Sequence, residues 1–547
     1  MLYFVPAWYQ LNEWSENEQS WVERRMHTEF DDTVKQIQLF HRSGVCPYRI
    51  ILLSYAPNFR HFLHRQSVYR APYWSCFDAI QEVRRKKAAV LSFHHLKWPE
   101  GISFLYTPFV VVAMLGEEKY AQIDFGEDGN PIRIDLYEKN RLVRRNLYDD
   151  RGFLSSTILY ENEQPLYQDY LMEKGIWKLR CFKGDGHVEV NPQYPEYLLQ
   201  YEGKEYSGRF SKLRYDDLAQ AIREVFLAYL NLTEKEDVFC VAMHERHTGL
   251  LAETLKEKKL ILSFFSDRSL DLTRPEVLSM VRGANYVIAD SGERLRKLRI
   301  RFGASIGKGI AIPPYDSRVD EGLSLQFKVQ KILVAIDGIE EEIFSTLIRL
   351  LGEYLSMNDD ARIHLFTRRA EYDRKQKVLE LVRRELAKSG MEEGWAEQGD
   401  NGKVSENNLE PNEPVPVKFF VEQCVDELAV SKCMREQRLF VDLREIPELY
   451  LQITAISIGI PQIVRTRTEF VEQGKNGMIL KEIYTLPTVL NYYLNGLKNW
   501  NRARIYSYEL VKEYTTDKLL EKWKEVMDCV GGDSYFTVRG RGLEQNI

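Results

Sequence analysis

The feature that most constrains this chain is a change of period. Strand-length apolar runs first alternate with helical segments, give way to short strands between about Tyr120 and Val190, and then alternate with helices again. The segment "YRIILLSY" (Tyr48 to Tyr55) is almost continuously apolar, which suits a strand of a parallel sheet covered by helices on both faces. Just before it, in "DDTVKQIQLFHRSG", Val34, Ile37 and Leu39 to Phe40 recur at helical spacing, with Asp31 or Asp32 to cap the helix and Gly44 to end it. The interruption reads "IRIDLYEKNRLVRRNLYDDRGFLSSTILYENEQPLYQDYLMEKGIWKLRCFKGDGHVEV", and its turn signals recur at about 8–12 residues, the mark of an antiparallel meander. Such a chain is expected to insert an antiparallel sheet into an α/β unit. Tyr137, Tyr148 and Tyr160 precede successive turns. Cross-strand aromatic packing is the simpler reading, and a surface that holds an extended polymer is the sharper one.

Alternation resumes with "DVFCVAMHERHTGLLAETL", "KLILSFFSDRS" and "GANYVIADSGERLRKLRIRFG", and a second α/β unit opens at "QKILVAIDGIEEEIFSTLIRLLGEYL". At 547 residues the chain exceeds what one core organises, so more than one domain is expected. The reading is two Rossmann-like domains. Residues 1–115 and 201–313 make the first, 116–200 the inserted sheet, and 314–505 the second, with an acidic insertion at 389–415. A C-terminal helix over 506–530 would pack back on the first domain, ahead of a loose tail at 531–547. From Met391 to Pro414 seven acids face one lysine, which reads as a solvated excursion.

Charge and cysteine usage exclude several classes. The net charge of −6 gives no global basic field, so no nucleic-acid partner is expected. Seven cysteines without a CxxC pair fit reduced thiols that serve as filler. The start "MLYFVPAWYQ" lacks a basic leader and reads as a first strand, while the longest apolar run, Phe104 to Leu115, falls short of the roughly 20 residues that a membrane span needs. A cytoplasmic protein is expected, peripheral to the membrane if it touches one. "RRKKAAV" (Arg84 to Val90) is the best local candidate for such contact, and a solvated helix end is its simpler reading. "HERH" misses the zincin spacing His-Glu-x-x-His, so no metal is expected there. His244, Arg246 and His247 nevertheless follow a strand where open α/β sheets place ligands, which makes them cleft candidates.

Two α/β units with a terminal helix resemble the GT-B glycosyltransferases, and "ITAISIGIPQIVRTRTEFVEQGKNGMIL" (Ile453 to Leu480) resembles their donor-domain region. In retaining members of that family, the helix before the Gly-x-Pro turn carries two glutamates eight positions apart. The matching positions here are Ile446 and Thr454. The family also holds the donor diphosphate with an Arg and a Lys after the first donor-domain strand, where this chain has "IDGIEEE", with Asp337, Glu340, Glu341 and Glu342. Like charges there repel a diphosphate. Where many relatives have a glycine-rich first loop, this chain has "VPAWYQLNEW". The resemblance therefore implies a retired active site, with no catalytic residue and no cofactor.

A closer resemblance rests on "MLYFVPAWY", "PYRIILLSYAPNFRHFLHRQ", "YDDRGFLSS", "QDYL", "LSFFSDR" and "IGIPQIVRTRTEFVEQGKNG". Together they resemble the family of first accessory secretory proteins in the accessory Sec system of streptococci and related bacteria. That resemblance implies a non-catalytic GT-B-like protein that acts with its sister accessory secretory proteins and the accessory SecA motor. Its substrate would be a serine-rich repeat glycoprotein adhesin, with export and linked glycan modification as the process. The alternative is an active glycosyltransferase, with His244 or His247 as base and Arg465, Arg467 and Lys475 as its nearby cations.

Overall fold

The computed structural model describes residues 1–9, 13–15, 30–126, 128–396 and 416–531. The acidic insertion beyond Ala396, the tail beyond Gly531 and residues 10–12 of the first loop lie outside them. Strands Leu2–Val5, Tyr48–Leu52, Tyr73–Ser75, Val238–Ala242, Lys259–Phe264, Tyr286–Ala289 and Gly309–Ala311 form a seven-stranded parallel sheet. Leu2–Val5 lies inside it, paired with Tyr48–Leu52 on one side and with the middle strand Val238–Ala242 on the other. The strand order reverses beside it, which opens a crevice at the carboxyl ends of the strands. Alternate side chains of this strand feed two cores: Tyr3 and Val5 join one, Leu2 and Phe4 the other. Burial on both faces explains the unbroken apolar runs.

The helix before Tyr48 runs over Asp32–Ser43, capped by the Asp31 carboxylate and ended by Gly44 in the left-handed region, as its spacing predicts. The second parallel sheet has six strands in the order Phe419–Gln423, Ala361–Thr367, Gln330–Ala335, Leu439–Asp442, Gln462–Val464 and Gly477–Ile479. It too switches direction beside its first strand, Gln330–Ala335.

The inserted sheet is antiparallel and ten-stranded, and neighbours in the chain are mostly neighbours in the sheet. It runs from Ile102–Tyr106 to Arg214–Tyr215, wider than the 116–200 read from turn spacing. Its first two strands, Ile102–Tyr106 and Val111–Leu115, share the apolar run Phe104 to Leu115 except for Ile102 and Ser103 and fold at Thr107–Val110 into a hairpin, and an apolar run has no period that reveals a turn.

The C-terminal segment is two helices, Leu497–Val511 and Thr516–Gly531, where the sequence reads as one. Thr515 between them is extended, at φ −64° and ψ 158°. Adjacent β-branched Thr515 and Thr516 lose rotamer freedom in a helix, which favours the break there. The last helix packs Leu519, Trp523, Val526, Met527 and Val530 against the first parallel sheet. Among the described residues no helix is long and apolar enough to cross a membrane.

Candidate functional site

Loops that follow strands of the two parallel sheets, Asp267 after Lys259–Phe264 and Arg368 after Ala361–Thr367, meet at the cleft between the units through ionised side chains. Arg368 follows strand Ala361–Thr367 and donates to both carboxylate oxygens of Glu448, each at 2.6 Å, and to Asp267 of the first unit at 3.4 Å. Its guanidinium lies 4.5 Å from the Phe30 ring centroid. Arg444 grips Asp442 at 2.7 and 2.8 Å and reaches the Asp337 carbonyl at 3.0 Å. Asp337 accepts from the Thr367 hydroxyl, the Arg368 amide and Arg374 at 2.7, 2.7 and 3.0 Å, with Arg369 at 3.8 Å.

Charge bookkeeping decides what this floor can hold. Arg368, Arg369, Arg374 and Arg444 are matched by Asp267, Asp337, Asp442 and Glu448, so no net positive charge remains for an anionic ligand. Burial opposes the charge on Arg368, but the Glu448 and Asp267 carboxylates outweigh it and lift the guanidinium pKa. Burial first, then Glu448, lifts Asp267 to about 6. The sequence motif does not point to these four arginines; it offers Arg465, Arg467 and Lys475 as its nearby cations. The signal was there in "ARIHLFTRR", a basic doublet at the carboxyl end of a parallel strand.

Ile446 and Thr454 occupy different kinds of backbone. Ile446 sits in the loop after strand Leu439–Asp442 and is 52% exposed. Thr454 lies on helix Leu449–Ile458, where its hydroxyl donates to its own helix at Tyr450 O, 2.7 Å away. Gly459 ends that helix at φ +82°, and a Cβ there would stand 2.7 Å from Arg504 Cγ, so the Gly-Ile-Pro turn needs its glycine for packing. Glu445 and Glu448 flank Ile446 in the chain, and Arg368 holds Glu448. Glu341 and Glu342 occupy the first turn of helix Glu341–Met357, so the helix's own acids fill the terminus that a phosphate would seek. Glu340 pairs at the surface with Arg465, at 3.1 Å. Arg467 is exposed, and Lys475 pairs with Glu472 at 2.6 Å.

On the first-unit side, His247 is fully buried, with Nε2 2.7 Å from the Ala242 carbonyl and Nδ1 2.8 Å from the Tyr9 hydroxyl. Those contacts fix a tautomer in which Nε2 donates and Nδ1 accepts. His244 caps helix Glu245–Thr254, its Nδ1 accepting from the Arg246 amide at 3.0 Å. The Arg246 guanidinium lies 5.0 Å from the Trp14 ring centroid. Burial lowers His247 to about 3, and burial followed by Arg268 lowers His244 to about 4.

The meander tyrosines lie well away from these groups in the chain and sit within their sheet. Tyr148 is buried in it, Tyr137 lies beneath the Lys119 ammonium at 4.0 Å, and Tyr160 is 5.9 Å from the Arg145 guanidinium. Tyr137 and Tyr160 are half-buried.

With this geometry in view, comparison with known proteins decides the family. The family model described as accessory Sec system protein 1 matches residues 1–529. The chain belongs to this family. The accessory Sec system protein 1 of Streptococcus gordonii is 31% identical over 531 residues, covering 96% of this chain and 98% of its own. A crystal structure of accessory secretory proteins 1, 2 and 3 in Streptococcus pneumoniae aligns with a TM-score of 0.72 at 28% identity, over 97% of this chain and 99% of that one. The pneumococcal O-GlcNAc transferase GtfA, in complex with UDP and GlcNAc, aligns at TM-score 0.67 and 13% identity, over 97% and 99% of the two chains. That likeness gives the fold, which is GT-B-like.

In this accessory Sec system protein the two histidines tie stability to pH. The unfolded chain takes up protons near pH 6.5 that the folded sites refuse until about 4 and about 3. The histidines' share of the stability, present above pH 6.5, is therefore lost as pH drops through that window, against an opposite contribution from Asp150, Asp267 and Asp290, whose carboxyls burial lifts to about 7, 6 and 7. Urea melts at pH 7.5 and 5.5 measure it. His244→Asn keeps a capping acceptor and removes the titrating ring, so relative to wild type it should become more stable as pH falls from 7.5 to 5.5; an unchanged difference between the two proteins contradicts the assignment.

Proposed function

We propose that this chain is a non-catalytic component of the accessory Sec system, in which a GT-B-like scaffold has given up nucleotide-sugar chemistry. It works in a hetero-complex with sister accessory proteins and with the accessory SecA motor. The cargo is a serine-rich repeat glycoprotein adhesin, and the place of action is the cytoplasm or the inner face of the membrane. Support for the complex comes from the pneumococcal relative, whose structure holds accessory secretory proteins 1, 2 and 3 together.

The observation that carries the non-catalytic reading is the neutralised cleft. Breaking a sugar–phosphate bond leaves charge on the departing diphosphate, and stabilising it takes cations that are not already committed. Here Arg368, Arg374 and Arg444 each hold carboxylates. Export can test this directly. A strain lacking the chain is complemented with the variant His244→Asn, Arg465→Ala, Arg467→Ala, which removes one of the two candidate bases and two of the three nearby cations of the enzyme reading. Adhesin export and glycan mass are expected to match wild type within about twofold. Removing a working acid or base costs roughly 10²-fold or more, so a loss of that size reinstates the enzyme.

A further inference from the structure

Three side chains in the second unit meet at a place that neither the cleft nor the family reading uses. Cys424 follows the edge strand Phe419–Gln423, and its amide donates to the Thr367 carbonyl at 3.0 Å. Cys433 lies on the next helix, Glu427–Arg435, which folds back over the strand end. The two sulfurs and a carboxylate oxygen of Glu422 all lie within 4.8 Å of one another. A tetrahedral zinc ion with bonds of about 2.3 Å to sulfur and about 2.0–2.2 Å to oxygen holds its ligands roughly 3.6–3.8 Å apart. A small inward shift of side chains reaches that spacing.

The surroundings fit a metal as well as the distances do. His364 is buried and bonds one Glu422 oxygen through Nδ1 at 2.7 Å, while its ring stacks on Phe420. That bond keeps Glu422 ionised, holding its carboxyl below the usual range, and leaves the second oxygen to coordinate. Cys424 is 5% exposed, and the neighbouring Cys424 thiol, followed by burial, holds the Cys433 thiol well above its usual pKa. Two soft sulfurs beside one carboxylate select against magnesium and calcium.

We propose that Glu422, Cys424 and Cys433 form a binding site for one thiophilic divalent cation of the zinc class, clamping helix Glu427–Arg435 to the edge strand, with the fourth position taken by water. As each sulfur–metal bond forms, its S–H proton passes to solvent. The clamped helix also carries Glu427, which pairs with Lys35 of the first unit, and Ser431, which lines a cavity of about 700 Å³ between the units. Metal binding thus fixes an element on which the two units meet. This reading replaces that of Cys424 and Cys433 as filler.

Cobalt(II) titration of the reduced full-length protein tests the proposal. One equivalent should raise a thiolate charge-transfer band with the visible bands of tetrahedral coordination, and zinc should displace it. Cys424→Ser and Cys433→Ser should each weaken binding at least tenfold, and the pair should abolish it. His364→Gln should weaken binding by about tenfold, and Cys529→Ser, at an exposed cysteine, should change nothing. On the wild-type protein, zinc should shield the half-buried Cys433 from alkylation, read by peptide mass spectrometry, while Cys529 stays reactive. Absence of the thiolate band at saturating cobalt, its survival in the folded double variant, or equal alkylation with and without zinc overturns the site.

Discussion

Replacing Arg151 with methionine is expected to destabilise the protein by about 3–5 kcal/mol, the usual cost of leaving one partner of a buried ion pair uncompensated. Arg151 joins the inserted sheet to the first Rossmann-like unit. It bonds Asp149 of the meander at 2.6 and 2.7 Å and forks onto Asp78 of helix Cys76–Ile80 at 2.7 and 2.9 Å. Asp149 is 4% exposed, and burial raises its pKa even beside the guanidinium. Without Arg151 that carboxylate must take up a proton or go unpaired. Arg151→Lys keeps the charge and loses both forks, so it should fall between wild type and Arg151→Met. Adding Asp149→Asn to Arg151→Met should recover part of the loss, because the stranded charge is gone. The neighbouring turn is equally demanding: Gly152 has φ +83°, and a Cβ there would lie 2.3 Å from the Ala89 carbonyl oxygen. Urea denaturation of the four proteins measures the series. An Arg151→Met loss below 1 kcal/mol would mean that water reaches the pair.

Trp523→Ala is the second change of large effect, with an expected cost of about 3–5 kcal/mol from lost burial and the cavity left behind. Trp523 is fully buried, its ring centroid 5.1 Å from that of Phe40 and 6.4 Å from that of Phe4, both edge-on. The helix that carries it follows the second unit in the chain but packs on the first, so this indole is one of the contacts that hold the units in register. Loss of the contact should also free the last helix to proteases. Trp523→Phe retains most of the apolar area and should cost less than half as much. Equal losses for Ala and Phe would point to a specific role for the indole that burial does not explain.

What the sequence shows of this molecule follows from which signals are local. Parallel strands are buried on both faces, and Tyr48–Leu52 announces itself by an unbroken apolar run. The meander announces itself by turns: Lys139, Asn140, Asn162 and Glu163 all take positive φ, at polar positions the sequence marks plainly. The sheet's first hairpin, Ile102–Tyr106 with Val111–Leu115, escapes because one apolar run spans its turn and most of both strands. The break at Thr515 escapes because the apolar pattern continues across it.

The cleft was half legible. Thr454 lies on the helix before the Gly-Ile-Pro turn, as the motif spacing expects, while Ile446 falls in the loop that precedes that helix. The pairing of Arg368 with Glu448 and Asp267 spans 80 and 101 residues, and no local pattern carries it. The same holds for Lys35 with Glu427, across 392 residues. Cys424 and Cys433 are close in the chain, yet only the return of helix Glu427–Arg435 over its strand brings their sulfurs together.

The measurement that bears most directly on the account is calorimetric titration of the full chain with UDP and UDP-N-acetylglucosamine. It is run with and without magnesium, beside an active GT-B transferase as control. A cleft whose arginines are already matched by carboxylates should give no saturable heat up to about 1 mM ligand, which corresponds to binding weaker than about −4 kcal/mol. Saturable micromolar binding under conditions where the control also binds would contradict the account, and would mean that Arg368 and Arg444 exchange their carboxylates for phosphate.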